Sequence, residues 1–180
     1  MSPRADAARN AGRLLAAAKD VFAEQCAEAA LDDIAQRAGV GNATLYRHFP
    51  TRGDLIVAVY AEEIDTLIAQ GDRLLERADP GAALFEWLDA FVVHVATKRA
   101  LALAINETPD GRRSELFERW HTSVTAIAER LLDRAQRGGA VRAGLDVRDV
   151  LALTTGAAIS GAGVEHARHL LGVLRLGLMS

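Results

Sequence analysis

The 180-residue chain is predicted to be all-α from its composition, its hydrophobic spacing and its few breakers. It contains 35 alanines and 23 leucines against 20 valines and isoleucines together, and only 5% of its residues are aromatic. Alanine and leucine favour helices, whereas β-branched and aromatic residues favour strands. Apolar residues recur at helical spacing between the four prolines, with no alternating strand pattern.

Three short helices are predicted before Pro50. The first spans about residues 10–25, and its apolar face consists of Leu14, Ala18, Val21 and Phe22. The second runs from Leu31 to Ala38 and is closed by Gly39, a typical C-terminal breaker. The third turns Leu45 and Phe49 inward and stops before Pro50, because a proline disfavours helical backbone in the preceding residue.

The rest of the chain predicts longer helices. Thr51 and Asp54 have the spacing of a capping box and open a helix that reaches Asp79 and Pro80. Further helices are expected at about 81–105, 114–137, 146–159 and 164–178. Ser114 and Asp146 are the expected N-caps, and the expected breaks are Gly138–Gly139 and Gly161–Gly163. A chain of this length suits one large domain or two small ones, and two are predicted, at 9–68 and 69–180.

The second and third helices have the features of a helix-turn-helix. Ala35 is small enough for a close helix crossing, Gly39 permits a tight turn, and Leu45 anchors the second helix of the motif. The outward face would then carry polar, carboxylate-free residues suited to a DNA groove, namely Asn42, Ala43, Tyr46 and Arg47, flanked by Thr44 and His48. The alternative is that Gly39 merely caps a helix and that residues 42–48 are solvated surface.

At these residues the sequence resembles the tetracycline-repressor (TetR) family of bacterial transcription regulators. The resemblance covers about residues 9–60, and its most specific part is the run TLYRHF from Thr44 to Phe49. Two features depart from the family pattern. Residues 26–30 replace the usual glycine and Ser/Thr cap, so that either Asp32 caps the second helix or the turn is built differently. Gly41 and Asn42 replace a commoner serine and lysine.

The resemblance implies that the third helix recognises DNA through Asn42, Ala43, Thr44, Tyr46 and His48, and that Arg52 contacts a phosphate. Asparagine pairs bidentately with adenine, and the alanine or threonine methyl suits a thymine methyl. Tyr46, His48 and Arg52 fit phosphate contacts, while Arg47 suits either role. Arg4 and Arg9 belong either to a DNA-contacting arm or to a solvated tail.

The second half predicts a homodimer interface and an effector pocket. Two apolar seams on the last two helices suggest a four-helix dimer bundle, the arrangement that the family also implies, formed by Val147, Leu151, Thr154, Ala158, Ala167, Leu171, Leu174 and Leu178. Burial of both helices inside a monomer is the alternative. Four aromatic residues and one histidine recur at helical spacing on two helices, namely Trp87, Phe91, His94, Phe117 and Trp120. They are expected to line either a small-molecule pocket or the plain core.

These features predict a homodimeric DNA-binding regulator, a repressor that a small molecule releases from a palindromic operator. The alternative is a helical ligand-binding or scaffolding dimer that does not bind DNA. The sequence contains no recognised catalytic motif, and no cofactor is expected. A metal site is not expected either, since His166 and His169 lack a third ligand. With one cysteine, Cys26, and no apolar run of membrane-spanning length, a cytoplasmic protein without a membrane partner is expected. The net charge of −3 predicts modest electrostatic affinity for DNA.

Overall fold

The computed structural model describes residues 3–25, 29–106, 111–160 and 163–179, and these form helices without any strand, as predicted. The described helices are α1 (Pro3–Gln25), α2 (Leu31–Ala38), α3 (Asn42–His48), α4 (Arg52–Leu74), α5 (Pro80–Asn106), α6 (Gly111–Arg137), α7 (Val147–Ala158) and α8 (Gly163–Leu178). None of them is both long and apolar enough to cross a membrane.

Several helix ends differ from the predicted ones. α1 begins at Pro3 instead of near residue 10, so Arg4 and Arg9 belong to this helix, and Arg9 pairs with Asp6 at 3.5 Å. The prediction that Ser114 is an N-cap is wrong, because α6 already starts at Gly111.

α4 ends at Leu74, earlier than predicted, because its backbone tightens into three-residue turns. The amides of Glu76 and Arg77 donate to the carbonyls three residues back, at 3.2 and 3.1 Å. Asp79 then starts the next helix by accepting from the Ala82 amide at 2.9 Å, and Pro80 occupies the first helical position.

The chain divides into two compact units within α4. The first unit extends to Glu62 and includes the end of α5 from Ala100, and the second contains the remainder. The division therefore falls before the boundary that the sequence predicts at residue 68. Residues 26–28, 107–110, 161–162 and both termini lie outside the described residues, and with them the predictions for Cys26 and for Gly161.

The first unit is built on the predicted apolar face of α1. Leu14, Ala18 and Val21 are fully buried, together with Ile34 of α2 and Leu55 and Val59 of α4. α1 packs against both α2 and α3. Burial raises the pKa of the Tyr60 phenol on α4 above its usual value, since the low-dielectric surroundings disfavour the phenolate.

The second unit has a core in which α4, α5 and α6 approach closely around Trp87. This indole is fully buried, and its Nε1 donates to the Leu67 carbonyl at 3.0 Å. Gly71 of α4 lies against the Ile127 side chain, where any Cβ would collide. Glycine is therefore required at this position of α4 for the helices to meet at this distance.

α8 is held to α5 by two charged contacts within the second unit. Arg168 makes a bidentate ion pair with Asp89, at 3.0 and 3.3 Å, and Arg175 lies 4.9 Å above the Phe85 ring. α7 packs against both α6 and α8, and Asp146 caps α7, as predicted, by accepting from the Arg148 amide at 2.7 Å.

Candidate nucleic-acid interface

The turn between α2 and α3 depends on the left-handed backbone of Gly39, whose φ is 64°. The Gly39 amide donates to the Gln36 carbonyl at 3.0 Å, and the Val40 amide donates to the Ala35 carbonyl at 3.1 Å. These two bonds form a Schellman motif, which satisfies the last carbonyls of α2 while reversing the chain. The predicted tight turn is thus present, and it sets the direction in which α3 leaves α2.

α3 buries one face and exposes the other, as its sequence predicts. Leu45 is 1% exposed and Phe49 is 9% exposed, whereas Tyr46 is 48% exposed. The exposed residues lie on one continuous arc of the helix, and they are Asn42, Ala43, Tyr46 and Arg47. Thr44 and His48 are half-buried and lie next to one edge of this arc. We call the arc and its two flanking residues the α3 face.

Asn42 is held by a residue that the sequence interpretation did not connect with it. Its side-chain Nδ2 donates to Oδ1 of Asp32, in the first turn of α2, at 2.8 Å. Asp32 does not cap α2, because the N-cap position is Ala30 and no side chain bonds there. The residues of α3 carry no carboxylate, as the sequence shows, but the carboxylate of Asp32 from α2 lies beside this end of the α3 face.

No signal in the sequence pairs these two residues directly, since they are ten positions apart on different helices. Their proximity follows from the crossing of α2 and α3, which the turn at Gly39 determines. Two sequence features are consistent with this contact: an asparagine at position 42 where the family commonly has a lysine, and acidic residues in the first turn of α2.

Arg52 and the capping box fix the chain where it leaves the α3 face. The amide of Thr51 donates to Oδ2 of Asp54 at 3.0 Å, and the amide of Asp54 donates to Oγ1 of Thr51 at 3.1 Å, as predicted. Arg52 is half-buried, and its Nη2 donates to the carbonyl of Ala29, just before α2. Arg52 therefore connects the start of α2 to α4. This structural role is additional to the phosphate contact that the sequence predicts for it.

Tyr46 and Arg47 are the most available polar groups of the α3 face. Among the described residues neither side chain makes a hydrogen bond or an ion pair. A phenol and a guanidinium on the exposed side of a helix whose other side is anchored in the core are free to donate to phosphates or to base edges.

Of the five residues expected to line an effector pocket, Phe91 and His94 border two different cavities among the described residues. Trp87 stacks on Phe91 with ring centroids 5.6 Å apart, inside the core. Phe117 and Trp120 form an edge-on pair at 6.5 Å. His94, 8% exposed, borders a cavity of about 310 Å³ between α4, α5 and α8.

A cavity of about 870 Å³ lies between α5, α6 and α7 in the second unit, and Phe91 is the one expected residue that lines it. We call it the α5–α6–α7 cavity. Its other lining residues combine apolar and polar groups, and they include Val124, Thr125, Leu151, Thr155 and Ile159. Sequence inspection missed these residues because they are spread over α6 and α7 with no shared motif.

Most residues of the expected dimer seam are buried within the single chain instead. They are Leu151, Thr154, Ala158, Ala167, Leu171 and Leu178, while Val147 and Leu174 are half-buried. The large apolar residues left exposed on the same two helices are Leu153, at 54%, and Val173 and Leu176, at 55% and 78%. These residues are covered within the chain, where α7 packs against α6 and α8, and the large exposed apolar residues of α7 and α8 lie outside the predicted seam.

Two families of known proteins match the chain in the order of its units. The family described as "Bacterial regulatory proteins, tetR family" matches residues 14–59. The family described as "Transcriptional regulator SbtR-like, C-terminal domain" matches residues 79–180. A helix-turn-helix unit followed by a helical domain of this kind defines a class of bacterial transcriptional regulators. The chain belongs to the TetR family.

Solved structures of the family match over nearly the whole chain. A TetR transcription regulatory protein from Mycobacterium vanbaalenii is 34% identical, covers 99% of this chain and 100% of its own, and superposes with a TM-score of 0.79. A TetR transcriptional regulator from Streptomyces coelicolor is 30% identical over 94% of this chain and 98% of its own, with a TM-score of 0.78.

Two curated relatives from Mycolicibacterium smegmatis match smaller shares. The HTH-type transcriptional regulator EthR is 28% identical over 73% of this chain and 63% of its own length. The HTH-type transcriptional activator FasR is 42% identical over 59 residues, 32% of this chain and 27% of its own length. The chain thus spans less than two thirds of either curated relative.

Replacing Gly39 with alanine is expected to impair both folding and DNA binding. A left-handed residue with a Cβ costs roughly 1–2 kcal/mol, and this Cβ would lie 2.6 Å from Nη2 of Arg13. Gly139→Ala is the matched control, because Gly139 has a φ of 68° and no atom within 4 Å of its Cβ position. Thermal denaturation should show a lower melting temperature for both variants than for the wild type. In fluorescence anisotropy only Gly39→Ala should weaken binding to duplex DNA, and equal affinities would contradict the assigned role of the turn.

Proposed function

We propose that the protein is a homodimeric regulator that reads a palindromic DNA operator with the α3 face and releases it when a small molecule binds. The observation that carries the DNA-binding part is the α3 face itself: a short helix anchored by Leu45 and Phe49, with its opposite side exposed. Such a helix fits the major groove, which admits one α-helix and displays a distinct pattern for each base pair.

The groups of the α3 face divide into two roles. Asn42, Ala43 and Thr44 are proposed to contact base edges, and Tyr46, Arg47 and His48 to contact phosphates and fix the register. Arg52 is proposed to act mainly through its bond to Ala29, so its substitution tests the fold as much as phosphate binding.

A dimer is proposed because α7 and α8, which pack against each other, both expose large apolar residues on a surface that a second copy can cover. Leu153, Val173 and Leu176 are each more than half exposed. A two-fold axis through this surface buries the same patch on both subunits. Two α3 helices would then lie about one duplex turn apart, roughly 34–36 Å, as a palindromic site requires.

The effector is proposed to bind in the α5–α6–α7 cavity, whose volume of about 870 Å³ suits a drug-sized molecule. α4 is the continuous segment that runs from the first unit into the second. A ligand releases DNA only if it binds the released conformation more tightly than the DNA-bound one. We propose a repressor and not an activator, because a protein that leaves the promoter when it binds its ligand most simply allows transcription to start.

The DNA-binding proposal is tested by Arg47→Ala, with Arg119→Ala on the exposed surface of α6 as the matched control. Removing one phosphate contact should weaken binding on all sequences and lower the slope of log affinity against log salt by about 0.9 per contact. Fluorescence anisotropy over a salt series measures both. A wild-type protein that prefers no sequence at any salt would favour the alternative of a helical dimer that does not bind DNA.

The dimer proposal predicts that Leu176→Glu yields monomers, because a carboxylate in an apolar interface must be desolvated without a partner. Analytical ultracentrifugation measures the change, and Ser123→Glu on the exposed side of α6 serves as control. Dimers that persist in Leu176→Glu at micromolar concentration would place the interface elsewhere.

The cavity proposal predicts that a bulky residue at Thr125 excludes ligands. An anilinonaphthalene sulfonate dye is a suitable probe, since it fluoresces on entering an apolar cavity. Thr125→Trp should weaken its binding at least about fivefold, while Ser123→Trp on the same helix, which does not line the cavity, should leave it unchanged. Equal binding to both variants would exclude this cavity as the dye site.

A further inference from the structure

We infer that Asp32 is a positioning residue for base recognition: it orients the Asn42 amide so that this side chain selects adenine. The inference rests on the proposed DNA-binding function and adds a specificity role for a residue of α2. The contact that carries it is the 2.8 Å hydrogen bond from Nδ2 of Asn42 to Oδ1 of Asp32.

The bond determines which way the Asn42 amide points. An ionised carboxylate only accepts hydrogen bonds, so the group that faces Asp32 must be the NH₂ of Asn42 and not its oxygen. The side chain is also not needed as a cap, because the N-cap position of α3 is Gly41 and no side chain bonds there. Its remaining hydrogen-bonding groups are therefore available to a ligand.

After bonding Asp32, the amide still offers one N–H and the carbonyl oxygen Oδ1. Adenine presents the complementary pair in the major groove, the N7 acceptor and the N6 amino donor. An unrestrained amide would have to lose its rotational freedom on binding, whereas an amide already held by Asp32 has lost it beforehand. Asp32 thus raises the discrimination between adenine and the other bases.

The charge of Asp32 acts on specific and non-specific complexes alike. A carboxylate beside the α3 face is repelled by every phosphate backbone, irrespective of sequence, and this lowers non-specific affinity. The repulsion is shared by specific and non-specific complexes, while the oriented amide favours the specific complex alone. The ratio of the two affinities therefore increases through the oriented amide, while the charge lowers both affinities.

Three variants separate the hydrogen bond from the charge. Asp32→Ala removes both, whereas Asp32→Asn removes the charge but keeps an oxygen that can accept from Asn42. Asp33→Ala is the matched control: this aspartate is the exposed neighbour in the same first turn of α2, and its loss changes the charge equally. Asn42→Ala removes the reading group itself.

The experiment selects bound duplexes from a randomised DNA library with the full chain and sequences them. The wild-type protein should select adenine at one position in each half-site, and Asn42→Ala should lower that preference about tenfold or more. Asp32→Ala should lower it about three- to tenfold, while Asp32→Asn and Asp33→Ala stay within about twofold of the wild type. Affinity for non-selected DNA should rise in all three aspartate variants.

The possible failures are distinguishable. A wild-type protein that selects no sequence overturns the proposed function. A wild-type protein that selects a site without an adenine dependent on Asn42, or an Asp32→Ala variant with an unchanged adenine preference, overturns the positioning role. An equal loss in Asp32→Ala and Asp33→Ala also overturns it, because a general effect of charge or helix stability would then explain both. A circular-dichroism melt of each variant establishes that it is folded.

Discussion

The left-handed turn at Gly39 is the constraint on which the candidate interface depends. Its two backbone bonds end α2 and reverse the chain within a few residues, so that α3 can place Leu45 in the core of the first unit. Once Leu45 and Phe49 are buried, helical periodicity leaves Asn42, Tyr46 and Arg47 no other direction than outward. The same crossing brings the first turn of α2 beside the first residue of α3.

The electrostatics of this unit are local. The net charge of −3 is distributed over the whole chain, while charges farther away than a Debye length of about 8 Å are largely screened. What matters at the α3 face is the balance between Arg47 and Asp32. A surface with one available guanidinium and one carboxylate is poorly suited to binding DNA by charge alone, and specific hydrogen bonds to bases then contribute a larger share of the affinity.

Local sequence signals predicted the first unit well because its determinants are short-range. The glycine C-cap at Gly39, the capping box at Thr51 and Asp54, and the inward residues of α3 all appear as predicted. Each depends on residues within four positions of one another. The cap expected at Ser114 is wrong for a related reason: the cap pattern also occurs inside helices, and only the backbone shows where α6 begins.

In the second half of the chain, local sequence signals do not predict which surfaces pack against each other. Helical spacing identified the apolar faces of α7 and α8, but it does not tell a face that packs on a neighbouring helix from one that packs on another subunit. Leu171 and Leu176 are both leucines on α8, and yet one is buried and the other is 78% exposed. The same spacing left open whether Trp87 lines a pocket or belongs to plain core, and in the structure its indole is fully buried.

The sequence by itself determined the helical fold, the helix-turn-helix and the face of α3 that points outward, because periodicity, caps and turns act between near neighbours. The tertiary structure alone decided that Asp32 holds Asn42, that Arg52 joins Ala29, and that the cavity lies between α5, α6 and α7. Each of these requires residues distant in the chain to meet. Such meetings depend on how helices cross, a property of packing that no local pattern encodes.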